Sequence, residues 1–154
     1  MRRWRCREAA FKTQNNNKME SKKEHINPEG LFKSPAFSQV VTTQGSGKTI
    51  YVGGQNAVNE KAEVVGKGDL AKQTEQVMQN LTIALESCGA SFANLVKLNI
   101  HLLQGQDARI GFAVSQKFLG KIPNQPIITV LFVAGFVHPE FLVEIDAIAF
   151  IPAT

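Results

Sequence analysis

The stretch that most constrains the fold runs from Gln125 to Phe150, QPIITVLFVAGFVHPEFLVEIDAIAF, where two long apolar runs are separated by a Gly135/Pro139 turn. That pattern predicts two adjacent strands. Ile127 to Phe132 carries almost no polar residue on either alternating side, as expected of a strand covered on both faces of its sheet. The second run alternates instead. Phe141, Val143, Ile145 and Ala147 point one way, and Leu142, Glu144, Asp146 and Ile148 the other. Two carboxylates therefore share a largely apolar face, the one acidic constellation to weigh as chemistry.

The rest of the chain is long enough to cover such strands. With 154 residues, 44% of them hydrophobic, it reads as one globular domain that can bury a core without staples. No apolar run approaches the roughly 18 residues that span a bilayer, and no apolar secretory segment opens the chain, so the cytoplasm is the expected location. The two cysteines, Cys6 and Cys88, are far apart and argue for reduced thiols rather than a disulfide framework.

A formal charge of +4 raises the question of nucleic acid. Arg2, Arg3, Arg5, Arg7, Lys12 and Lys18 face only Glu8 within residues 1–18, and the remainder holds one more acidic than basic residue. The basic balance belongs to the tail, so no nucleic-acid footprint is expected on the folded body. Residues 1–18, ending in an Asn run before Met19, read as an extension outside the fold, and 19–154 as a single domain.

Phe37 to Thr43 and Thr49 to Gly54 read as two strands around a turn at Gln44–Gly47. GSGKT within that turn is not a phosphate loop. That motif needs a glycine where the chain has Thr42, and a helix where it has the strand-like TIYVGG.

Between Asp69 and Cys88, Leu70, Thr74, Val77, Leu81, Ala84, Leu85 and Cys88 recur at three- and four-residue steps and predict an amphipathic helix, capped by Asp69 and ended by Gly89. On its inner face Cys88 reads as core rather than nucleophile. Leu95 to Leu103 alternates as a strand, with Val96, Leu98, Ile100 and Leu102 inward and Lys97, Asn99 and His101 outward. A second helix is predicted over Asp107 to Leu119, with Ile110, Ala113, Val114 and Phe118 on the core side and Phe112 on the wet side. His25, His101 and His138 share no metal-ligand spacing, and neither metal nor cofactor is expected.

The order is therefore β-β-α-β-α-β-β, an α+β fold with two helices on one face of a mixed or antiparallel sheet. If Val143, Ile145 and Ala147 lie under the helices, then Ile128 or its neighbours, with Leu142 and Ile148, form an opposite apolar face that nothing in the chain can cover. Such a patch predicts self-association.

PAFSQVV at 35–41, IYVGGQ at 50–55 and the closing VEIDAIAF at 143–150, in this order and spacing, resemble the RidA/YjgF family, also labelled L-PSP endoribonuclease, over roughly residues 28–151. The resemblance implies a chorismate-mutase-like fold and a homotrimer with a small-molecule cleft at each subunit interface. In active members an arginine in the penultimate strand grips a substrate carboxylate, and a glutamate in the last strand activates water to hydrolyse 2-imino acids. By that likeness Glu144 is the catalytic glutamate. The arginine falls on Ile128, the cysteine two residues later on Val130, the cleft tyrosine on Phe37, the serine before the Gly-Gln pair on Gly53 and the helix asparagine on Phe112, while Gln55 is kept.

An arginine fork on a carboxylate is worth roughly 1.5–3 kcal/mol, so its loss weakens imino-acid binding by about ten- to a hundredfold. A cleft of Ile128, Val130, Phe37 and Phe112 also penalises an anion and favours a neutral or cationic ligand. An imine or enamine deaminase with altered substrate, and a trimer that binds a metabolite without turnover, are the two functions this pattern supports. A ribonuclease ranks below both, because the body is slightly acidic and lacks an aromatic-basic surface.

Overall fold

A computed structural model describes residues 20–154, so the extension over 1–18, Cys6 included, lies outside the described residues. Among the described residues six strands and two α-helices follow in the order β1 (Lys22–Ile26), β2 (Val40–Gln44), β3 (Gly47–Gln55), α1 (Leu70–Ser87), β4 (Leu95–Leu103), α2 (Ala108–Leu119), β5 (Ile127–Val133) and β6 (Val143–Pro152). From β2 onward this is the order read from the sequence. The preceding strand, β1, was not foreseen, because KKEHI is too polar to read as a strand. It is held by pairing with β2 and by Lys23, whose Nζ donates to the carbonyls of Ala93 at 2.6 Å and Leu95 at 2.9 Å.

The main sheet has the order β3-β6-β4-β5, with β6 antiparallel to both neighbours and β4 parallel to β5. β5 and β6 are therefore not adjacent, contrary to the reading of their turn. The 134–142 connection steps over β4, a span of about 10 Å between next-nearest strands, which nine residues cross with ease. β2 and β3 are not a hairpin either. Gly45, at φ +79, turns the chain so that β2 pairs with β1 and β3 with β6. The absence of a helix after GSGKT does agree with the rejection of a phosphate loop.

Both helices cover one face. α1 starts where expected, with Asp69 Oδ1 accepting from Lys72 N at 3.1 Å, and Gly89 follows its end at φ +76. Leu70, Thr74, Val77, Leu81 and Leu85 are buried as predicted, and Ala84 and Cys88 are partly so. Gln73 and Met78 are buried as well. Gln73 accepts from Leu142 N at 2.8 Å and donates to the carbonyls of Glu140 at 2.7 Å and Gly66 at 3.3 Å, which ties the approach to β6 onto the helix.

α2 is rotated from its predicted orientation. Ile110 and Ala113 are exposed, and Gly111, Val114, Ser115 and Leu119 are buried. The rotation turns Gly111 toward α1, where a Cβ would make an ordinary contact 3.6 Å from Thr74 Oγ1, and buries Ser115. Small residues can face a neighbouring helix as readily as apolar ones, and apolar periodicity does not register them.

Val143, Ile145 and Ala147 lie beneath the helices, each no more than 2% exposed. The opposite face is open but is not the apolar patch expected. Leu142 is buried, and Ile128 lies on the helix side, since it is the register partner of the core residue Leu98. The open face instead mixes Tyr51, Ile148 and Leu131 with Asn99, His101, Thr129, Glu144 and Asp146. β5 is an edge strand with Val130, Leu131 and Phe132 about half exposed, so neither of its faces is sealed within one chain. No helix among the described residues is long and apolar enough to cross a membrane.

Candidate functional site

Glu144 lies between Val143 and Ile145, whose side chains are buried, so the alternation of β6 turns its carboxylate to the open face. There it meets the end of β3, where the register with β6 shifts between Val52 and Gln55. The irregularity spans Gly53 and Gly54. A Cβ on Gly54 would strike the Glu144 carboxylate, so glycine at that position is what lets the acid lie against the strand. Gly53 meets nothing within 4 Å, and Gln55 Nε2 donates at 3.2 Å to its carbonyl.

The carboxylate is held from one side. Asn56 Nδ2 donates to Glu144 Oε2 at 3.0 Å, Asn80 Nδ2 donates to the carbonyls of Asn56 at 3.0 Å and Val58 at 2.9 Å, and Gln76 Nε2 donates to Asn80 Oδ1 at 2.8 Å. A line of amides thus runs from α1 to the acid and leaves Glu144 Oε1 without a hydrogen bond among the described residues. Sequence reasoning missed Asn56, Asn80 and Gln76. The signal available was the i,i+4 spacing of Gln76 and Asn80 on one side of the predicted helix.

Asp146, two residues on, accepts from Asn99 Nδ2 at 2.8 Å and is engaged structurally. His101 pairs in register with Glu144 across β4 and β6, and its buried Nδ1 has no hydrogen-bond partner among the described residues.

The apolar half of the expected cleft lies elsewhere. Ile128 and Val130 on β5 and Phe112 on α2 line a cavity of about 330 Å³ between α2 and the sheet, floored by Ile100, Val143 and Ile145. Arg109, in the first turn of α2, completes its rim. Its Nε donates to Asp107 Oδ1 at 2.9 Å and its Nη2 to Oδ2 at 2.7 Å. Those hydrogen bonds pull the Asp107 carboxyl down to about 2, with the helix N–H of Arg109 and the guanidinium charge adding to the effect. Within one chain this cavity and Glu144 lie on opposite faces of the same strands, so the predicted residues do not converge.

Phe37 joins neither group. It lines a polar recess of about 220 Å³ with His25, Ser38, Asn124 and Gln125. Ser38 Oγ donates to the Gln125 carbonyl at 2.6 Å, and His25 Nδ1 approaches the same oxygen at 2.9 Å. Burial lowers the His25 pKa, partly offset by the Gln125 carbonyl and reinforced by nearby Lys23. Among the described residues no cluster of histidine, cysteine and acidic side chains could hold a metal ion.

The described residues thus form an α+β fold with a tethered carboxylate on one sheet face and an apolar cavity beneath the other. Residues 32–151 match the model of the family described as Endoribonuclease L-PSP, and the chain belongs to that family. It is 30% identical over 115 residues to a RutC family protein of Pyrococcus abyssi, covering 74% of this chain and 85% of that one. It is 28% identical over 127 residues to the 3-aminoacrylate deaminase RutC of Acinetobacter baylyi, covering 82% and 97%. The crystal structure of YyfB, a conserved Rid family protein from Yersinia pestis, superposes with a TM-score of 0.70 at 31% identity, covering 84% of this chain and 98% of that one.

Proposed function

We propose that this chain is the subunit of a homotrimer with a small-molecule cleft at each subunit interface, and that the cleft hydrolyses an imine or enamine whose substrate differs from the simple 2-imino acids. The observation that carries the reading is the separation of the two half-sites. Glu144 stands at the β3 side of the open face, whereas the cavity of Ile128, Val130 and Phe112 opens beside the opposite edge strand, β5. A head-to-tail contact between unlike edges makes a ring when its rotation closes, and in the proposed trimer the cavity of one copy faces Glu144 of the next. Three half-exposed apolar residues in succession on β5, and the unpartnered Nδ1 of His101 on the open face, support burial of both surfaces by further copies.

In that cleft Glu144, steadied through Oε2 by Asn56, accepts a proton from water at Oε1 as the oxygen adds to the C=N carbon. The proton then passes to nitrogen, the carbinolamine collapses, and ammonia leaves behind a carbonyl, so that imine and water are converted to carbonyl and ammonia. A non-catalytic metabolite-binding trimer is the second reading, and the apolar lining at Ile128 and Val130 is the observation that favours it.

Hydrolysis of freshly generated imines by the parent chain, Glu144→Ala and Ile128→Arg separates the two. Turnover abolished in the Glu144 variant supports the deaminase. An inert parent that gains activity with Ile128→Arg supports a retuned scaffold, and three inert proteins leave the binding reading in place. Leu131→Lys, which puts a charge on the exposed edge, is expected to convert a sedimenting trimer to monomer; an unchanged trimer would place the interface elsewhere.

A further inference from the structure

The cavity under α2 is apolar apart from two hydroxyl residues and one cation. Thr74 Oγ1 is occupied in donating to the Leu70 carbonyl at 2.8 Å, and Ser115 is buried. The cation is Arg109, whose side chain is 91% exposed in its pair with Asp107. It stands at the solvent rim of a space walled by Ile128, Val130 and Phe112.

We propose that Arg109 is the anion-binding residue of this cleft and that its ligand is a monocarboxylate with an apolar tail, tail under α2 and head on the guanidinium. The inference rests on the cleft reading above and names the class of ligand. The apolar lining at Ile128, Val130 and Phe112, which by sequence favours a neutral or cationic ligand, penalises a charge only inside the cavity, and an anionic head finds its partner at the mouth, on Arg109. A guanidinium carries five N–H donors. Asp107 engages Nε and Nη2, and Nη1 has no partner among the described residues. One edge of the fork is thus free to receive a second carboxylate in charge-assisted contact. The pair with Asp107 does not sequester it, since exposed ion pairs alter an equilibrium by only a few-fold.

Volume sets the tail. At about 30 Å³ for each water- or methylene-sized group, 330 Å³ admits roughly ten heavy atoms. An acid of three or four carbons anchored at the rim leaves most of that apolar space unfilled, whereas a chain of about eight carbons occupies it. Burial of each methylene is worth roughly fourfold in affinity.

Titration calorimetry of the full chain with butanoate, hexanoate, octanoate and 1-octanol tests this. Affinity is expected to rise about three- to fourfold per methylene along the acids, with octanoate above octanol and weakened by added salt. Arg109→Gln is expected to weaken octanoate about tenfold and leave octanol unchanged. Asp107→Asn keeps an effective helix cap while removing the competing carboxylate, and is expected to tighten octanoate alone. Thermal melts confirm that both exposed-site variants remain folded. Octanol binding as tightly as octanoate, an Arg109→Gln variant with parent affinity, or acids that bind independently of length would each overturn the proposal while leaving the cleft in place. Failure of every probe to bind overturns the ligand class, and the imine assay then decides the reading of the cleft separately.

Discussion

Gly53 and Gly54 form a matched pair that isolates what holds Glu144. An alanine Cβ at Gly53 meets nothing within 4 Å, whereas at Gly54 it would lie 2.7 Å from Glu144 Cδ and 3.1 Å from Cγ. Carbon atoms settle at about 3.5–4 Å, so the carboxyl group must retreat by roughly 1 Å. That lengthens the 3.0 Å hydrogen bond from Asn56 beyond bonding distance. For a half-exposed charged acceptor the loss is about 1–2 kcal/mol, and at about 2–4 °C per kcal/mol in a domain of this size the melting temperature should fall by about 4 °C. The intrinsic gain of replacing glycine is common to both positions and cancels when Gly54→Ala is compared with Gly53→Ala. Repeating the pair in a Glu144→Ala background closes a double-mutant cycle in which the Gly54 penalty should vanish. Calorimetric melts of the six proteins suffice. Equal costs at the two glycines, or a Gly54 penalty that survives loss of Glu144, would refute the argument that this glycine exists to admit the carboxylate.

Gln73→Leu strips partners from Leu142 N and from the Gly66 and Glu140 carbonyls, and should cost about 3 kcal/mol in denaturant unfolding; a loss below about 1 kcal/mol would mean that water replaces all three bonds. Asn80→Leu orphans the Asn56 and Val58 carbonyls and is expected to cost about 2 kcal/mol and to change the chemical shift of the Asn56 side-chain amide, the far end of the line that steadies Glu144. Burial makes folded His25 a weaker base than in the unfolded chain, so the unfolded state binds its proton more readily. That contribution to stability is complete above about pH 6.5 and is lost as pH falls through the folded value. The urea midpoint of the parent should drop between pH 7 and pH 5 more than that of His25→Gln, and parallel slopes would count against it.

The sequence by itself determined the helices and strands from β2 onward, the burial of Val143, Ile145 and Ala147, the caps at Asp69 and Gly89, and the emergence of Glu144 on the face away from the helices. Each of these is set by a local period or by a side chain reaching its own backbone, and a local rule is legible residue by residue. Tertiary structure decided the rest. Which strand neighbours β6 depends on pairing between residues 41 to 54 positions apart, so the apparent hairpin of β5 and β6 gave way to β4 between them. α2 buries Gly111 and Ser115 in place of Ile110 and Ala113, a choice of face that hydropathy does not record. The sequence motif named Glu144 and Ile128 together, and the sheet set them back to back. Alternation fixes which way a side chain points relative to its own strand, while only the packing of strands and helices fixes what stands on the other side.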